Sequence, residues 1–148
     1  MGKKYDDIDG LLSDLKSDIQ EILQHEVLDE VKDMEMENVQ ADVYSYSPTM
    51  YSRRGASGGI GDDTRIVGKV NGLQLEAENM ATFNPGYGTQ NHGIGLADLI
   101  NDGNGAYRYD YYGSFTGARP FIKHTQDEID STERVDNVLF NALKAKDY

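Results

Sequence analysis

The sequence predicts an α+β domain: a long N-terminal helix, a small antiparallel sheet with an Asn-Gly hairpin, and a C-terminal helix. Three observations predict it. Apolar side chains recur in steps of three and four from Ile8 to Met34, Asn71-Gly72 sits between two short runs, and an apolar stripe resumes directly after Pro120. With 148 residues the chain fits one compact domain and is too small for two independent ones. It divides into a long helix over 1–47, a glycine-rich arm over 53–63, sheet and loops over 64–118, and a C-terminal helix over 119–147.

The first helix carries Ile8, Leu11, Leu15, Ile19, Val27 and Val31 on one stripe, with acidic residues such as Asp14, Asp18, Glu21 and Glu26 between them. Asp6 or Asp7 suits the N-cap, because a short carboxylate accepts from the unbonded amides of the first turn. The stripe continues through Val39 and Val43 to Tyr46, before Pro48 disfavours helix at Ser47. About 40 helical residues make a rod of roughly 60 Å, longer than a domain of this size covers with its own core. A kink near Asn38 or a partner chain is implied.

Arg53 to Asp63 is rich in glycine and lacks apolar periodicity, so it reads as a flexible arm. The hairpin follows as Arg65–Val70, the turn Asn71-Gly72, and Leu73–Asn79. Asn-Gly takes positive φ cheaply at both turn positions. Leu73, Leu75 and Ala77 alternate with Gln74, Glu76 and Glu78, giving a buried face and a wet one. Phe83 to Gly95 is a second glycine-rich loop, and Ala106–Tyr112 suits a third strand. Pro120 fits a first helical position; behind it Phe121, Ile122 and Ile129 share a face predicted to anchor the C-terminal helix against the sheet. Ser131 or Thr132 either caps a second segment or interrupts the first, and Val135, Val138, Leu139 and Leu143 continue the stripe.

The charge excludes whole classes of function. Twenty-six acidic side chains against 14 basic ones give a net charge of −12, which opposes binding of nucleic-acid phosphates or of anionic membrane. A mean hydropathy of −0.64 and the lack of any long apolar run leave no membrane span. The opening MGKKYDDIDG has no apolar stretch behind its lysines and does not read as a signal peptide. Without cysteine there is no disulfide, thiolate nucleophile or sulfur-held zinc. His25, His92 and His124 lie in no metal-binding frame, and no Asp or Glu interrupts an apolar run as a buried acid or base would. The run Gly55–Gly61 lacks the Gly-Lys-Ser/Thr ending of a phosphate loop and closes on Asp62 and Asp63, which repel phosphate. No cofactor, metal or catalytic set is expected.

Contact surfaces are better represented. Tyr107, Tyr109 and Tyr111 fall on one face of the run AYRYDYY, and Tyr44, Tyr46 and Tyr51 form a second cluster. Tyrosine offers large area and a polar tip at low rotamer cost. Arg53 and Arg54 have many carboxylates to pair with, on their own or a neighbouring subunit. Ile60 is the large apolar anchor within the arm, which is expected to order against a neighbour and lock it in place. Tyr51, Arg53, Arg54, Ile60, Tyr107, Tyr109 and Tyr111 are therefore the candidate interface residues.

The run VYSYSPTMYSRR (Val43–Arg54), the Asn-Gly hairpin, the FNPGYG loop, the RYDY strand and GARPFIKHTQDEI, in that order, resemble small tail-completion or neck proteins of long-tailed bacteriophages. Tyr51-Ser52-Arg53-Arg54 and Arg119-Pro120-Phe121-Ile122 are the most specific pieces, and the likeness extends from about Val27 to Leu143. The resemblance implies an α+β subunit without catalysis, in a homo-oligomeric ring at the head–tail junction of the virion. Its partners would be itself, the head connector and tail proteins, with DNA only as passing cargo. Two other classes stay open: an acidic cytosolic interaction or inhibitor protein that mimics nucleic acid, and an enzyme built on a pair of buried carboxylates.

Overall fold

The structure, a computed structural model, describes residues 3–44, 63–80 and 120–148. The chain is helical from Ile8 to Tyr44: α1 (Ile8–Ile22), a wide π turn (Leu23–Val27), α2 (Leu28–Val39) and a second π turn (Gln40–Tyr44). Asp7 is the N-cap, its carboxylate accepting from the Gly10 amide at 2.6 Å. The wide turns follow from the spacing of the inward side chains. Leu11, Leu15, Ile19, Leu23, Val27, Val31, Glu35 and Val39 are half-buried or buried and lie four residues apart. Each step of four overshoots a 3.6-residue turn by about 40°, so a regular helix would rotate this line off the core. A π turn takes up an extra residue and brings the line back. The break expected near Asn38 is therefore no gap in the helix. The ladder widens two residues later, and the helical run is about 55 Å long.

The hairpin consists of β1 (Ile66–Asn71) and β2 (Gln74–Asn79), antiparallel, with Ile66 opposite Asn79 and Asn71 opposite Gln74. The turn is one residue later than predicted: its central pair is Gly72-Leu73, and only Gly72 takes positive φ, at +64°. Asn71 joins the strand instead. The later turn leaves Leu73 exposed at the tip and carries Asn79 opposite Ile66, where its side chain reaches α2. Gln74, Glu76 and Glu78 are exposed, as the alternation predicts, but on the face expected to be buried Ala77 is exposed as well and Leu75 is only half-buried. Gln20 and Gln24 donate to the carbonyls of Gly72 (2.9 Å) and Gly68 (3.3 Å), which fastens the hairpin along the long helix. Gly68 is needed there, because a Cβ on it would sit 2.5 Å from Leu28 Cδ2.

The C-terminal region is two helices, α3 (Phe121–Ser131) and α4 (Arg134–Ala145), divided at the Ser131/Thr132 position where a second segment or an interruption is expected. Thr132 is extended and its hydroxyl donates to the Glu128 carbonyl at 2.8 Å, which ends α3. Phe121 is fully buried. The helix it opens packs chiefly on α2, however, and not on the sheet as expected; Ile122 lines a cleft together with Leu75 and Ala77 of β2. α4 runs antiparallel to the long helix and brings Val135, Val138 and Leu139 onto Ile22, Val27 and Val31, joined by Leu75 and Ile129. No helix among the described residues is long and apolar enough to cross a membrane.

Candidate functional site

Three polar constellations stand on this frame. The first is inside it. Glu35 occupies the every-fourth-residue line and is 5% exposed, where an apolar residue would be expected. It accepts one hydrogen bond, from Asn79 Nδ2 at 2.9 Å. Burial pushes its carboxyl above the usual carboxylate range, and the Asn79 bond offsets part of that rise. Beside it lies a half-open cleft of about 100 Å³ lined by Val31, Leu75, Ala77, Ile122 and Ile129, together with Thr125 and Gln126. The expectation that no carboxylate is buried is thus corrected. Glu35 was missed because it stands next to Met34 and Met36 in a mixed run, and only the steps of four place it inward.

The second constellation joins three helices. Arg134 Nε donates to Glu30 Oε1 (2.7 Å), and Nη1 to Glu37 Oε2 (2.8 Å) and Glu128 Oε1 (2.9 Å). Asn38 adds bonds to the Met34 carbonyl, Thr125 Oγ1 and Glu128 Oε2 at 3.0–3.2 Å. The guanidinium holds the Glu37 carboxyl below its ordinary range. One arginine thereby fixes the elbow between α3 and α4 against α2, a use for which its planar fork is suited. The third constellation closes the other end of α4. Tyr148 Oη and Lys3 Nζ both donate to Asp18 Oδ2, the tyrosine at 2.6 Å, and Lys146 reaches Glu21 at 2.8 Å. Lys3 first, and Tyr148 second, lower the Asp18 carboxyl to about 2.

None of the three is a paired-acid site, since Glu35 is bonded to an amide and not to a second carboxyl. His124 is paired with Asp42 at 2.6 Å, and His25 is exposed. No group of three or more metal-binding side chains occurs among the described residues. Tyr51, Arg53, Arg54, Ile60, Tyr107, Tyr109 and Tyr111 lie outside the described residues, as do the arm, the second glycine-rich loop, the predicted third strand and His92. Exposed apolar side chains occur elsewhere. Ile8 (72%) and Leu12 (55%) stand one turn apart on the first turns of α1, and Phe140 (60%) faces outward from α4.

A protein-family model, YomN, matches residues 7–145, which is nearly the whole chain. The chain belongs to the YomN family, a family of SPbeta-like phage proteins. No curated protein and no solved structure matches it.

Proposed function

We propose that this phage protein is a structural subunit of the virion that assembles into a homo-oligomeric ring at the head–tail junction, as a tail-completion or neck component joining the head connector to the tail. The observation that carries the reading is the bare end of the long helix. Ile8 and Leu12 are mostly exposed, while apolar residues further along the same helix are buried. Two large apolar side chains left exposed on the first turns of a long helix whose Leu11–Val39 line is half-buried or buried are suited to completion by neighbours. The polar constellations support the same reading, since two of them fasten helices to one another and place no acid–base pair. Net charge of −12 would let DNA pass a ring's lumen without adhering.

The test is the mass of the purified protein by light scattering, with electron microscopy of the same sample and mass spectrometry of purified virions. A ring-sized particle and presence in virions are expected. A stable monomer missing from virions overturns the reading. If that monomer also bound a nucleic-acid-binding protein, it would favour the mimic. The rival is disfavoured by the pinning of its acidic face, since Arg134 and Lys146 tie Glu30, Glu37 and Glu21 at either end.

A further inference from the structure

We propose that the cleft between β2 and α3 receives a lysine or arginine side chain from a partner protein, with Glu35 as its counter-ion. The chemistry of the cleft carries the inference. An ionised carboxylate is rarely left buried without a positive partner, because an isolated charge is costly in an apolar setting. Among the described residues Glu35 is bonded by the Asn79 amide alone, which satisfies one oxygen and neutralises nothing. Among the described residues no lysine or arginine pairs with Glu35, and Arg134 and Lys123 are engaged with Glu30, Glu37, Glu128 and Asp127.

The walls match a cationic side chain in particular. Lysine and arginine carry an aliphatic stem behind the charge, and Val31, Leu75, Ala77 and Ile122 offer that stem an apolar lining with the carboxyl among them. A volume of about 100 Å³ suits one side chain and not a larger ligand. A chain of net charge −12 also favours a partner that presents positive charge. The inference goes beyond the ring reading and stands without it, since any partner protein that presents one such residue suffices.

The probe is Nα-acetyl-arginine N-methylamide, titrated into isotopically labelled full-length protein and followed by NMR. Its control is the citrulline counterpart, which has the same shape and no charge. Shifts at Leu75, Ile122 and Ile129 are expected, with a Kd on the order of 1–10 mM for a ligand of this size. Glu35→Gln is expected to weaken binding about tenfold or more, since a charge-assisted bond is lost. In the wild-type protein the probe is expected to move the titration of the Glu35 carboxyl carbon to lower pH, a readout that holds even if the variant folds poorly. Equal binding of the citrulline compound, unchanged affinity in Glu35→Gln, or no shift at all overturns the proposal. Tighter binding of free n-butylguanidinium than of the capped residue overturns it in favour of a small cation.

Discussion

Ile8 and Ile22 are the same residue on the same helix, yet one is 72% exposed and the other fully buried. At Ile22 the helix is roofed by α4 and by Leu75 of the hairpin. At Ile8 it has passed beyond α4, whose last residues are tied to Asp18 and Glu21. The difference shows that an apolar stripe read from sequence marks what a helix can bury, and that the covering elements decide how much of it is buried. The covered stretch is a core. The bare stretch is available surface.

Ile22→Ala should sharpen the contrast most. Deleting a fully buried isoleucine side chain costs about 2–5 kcal/mol, read as a lower denaturant midpoint, whereas Ile8→Ala should shift it by less than about 0.5 kcal/mol. Equal effects would mean that Ile8 is also roofed. Gly68→Ala comes next. The added methyl meets Leu28 Cδ2 at 2.5 Å and Cγ at 3.0 Å, and overpacking of this kind costs about 1–3 kcal/mol. Adding Leu28→Ala should make the pair less destabilising than the sum of the two singles. Strict additivity would place the hairpin further from the helix than it stands here.

Arg134→Ala should cost about 1 kcal/mol, because its pairs are only half-buried and their Coulomb energy is screened. Arg134→Lys should recover little of it, since a compact ammonium cannot place donors at the separate Nε and Nη1 positions from which Arg134 reaches Glu30, Glu37 and Glu128. Full rescue by lysine, measured as thermal stability at low and high salt, would show that charge alone matters at the elbow.

Much of this frame was legible. The stripe, the alternation in β2 and Pro120 placed the long helix, the wet strand face and the start of α3. What escaped depended on contacts between distant segments. The turn slid from Asn71-Gly72 to Gly72-Leu73 where Gln20 and Gln24 grip the hairpin carbonyls. The break at Ser131 or Thr132 was readable, but not the return of Arg134 to Glu30 and Glu37 that makes it an elbow between two helices. Glu35 was written in the steps of four, but only the π turns, a departure from 3.6 residues per turn, make that spacing face inward throughout.

Glu35 supplies a smaller effect with a definite sign. Its carboxyl is raised in the folded state by burial, so the fold binds that proton more tightly than the unfolded chain does. Its stabilising contribution is full below the ordinary glutamate range and lost as pH rises through the raised value. Glu35→Gln should therefore match the wild type in acid and be the more stable of the two above that range. The difference in melting temperature between the two proteins, followed against pH, isolates this group from Asp18 and Glu37, whose shifts run the other way. A difference that does not change with pH would place Glu35 in contact with water.

The smallest effect on the fold belongs to the bare end of α1, and it is the one that bears on assembly. Ile8→Ser with Leu12→Ser removes exposed apolar surface that nothing in the described chain covers, so the subunit's unfolding midpoint should move by no more than about 0.5 kcal/mol. Burial against a neighbour is worth roughly 25 cal/mol per Å² of apolar surface, and two large side chains at the centre of a contact matter far more to association than to the isolated fold. The double variant is therefore expected to remain folded by circular dichroism while its mass in light scattering falls toward that of one subunit. If the variant assembles like the wild type, the bare turns are not the contact, and the exposed Phe140 on α4 becomes the next position to change. If it unfolds instead, the first turns of the helix belong to the core after all, and the contrast between Ile8 and Ile22 disappears.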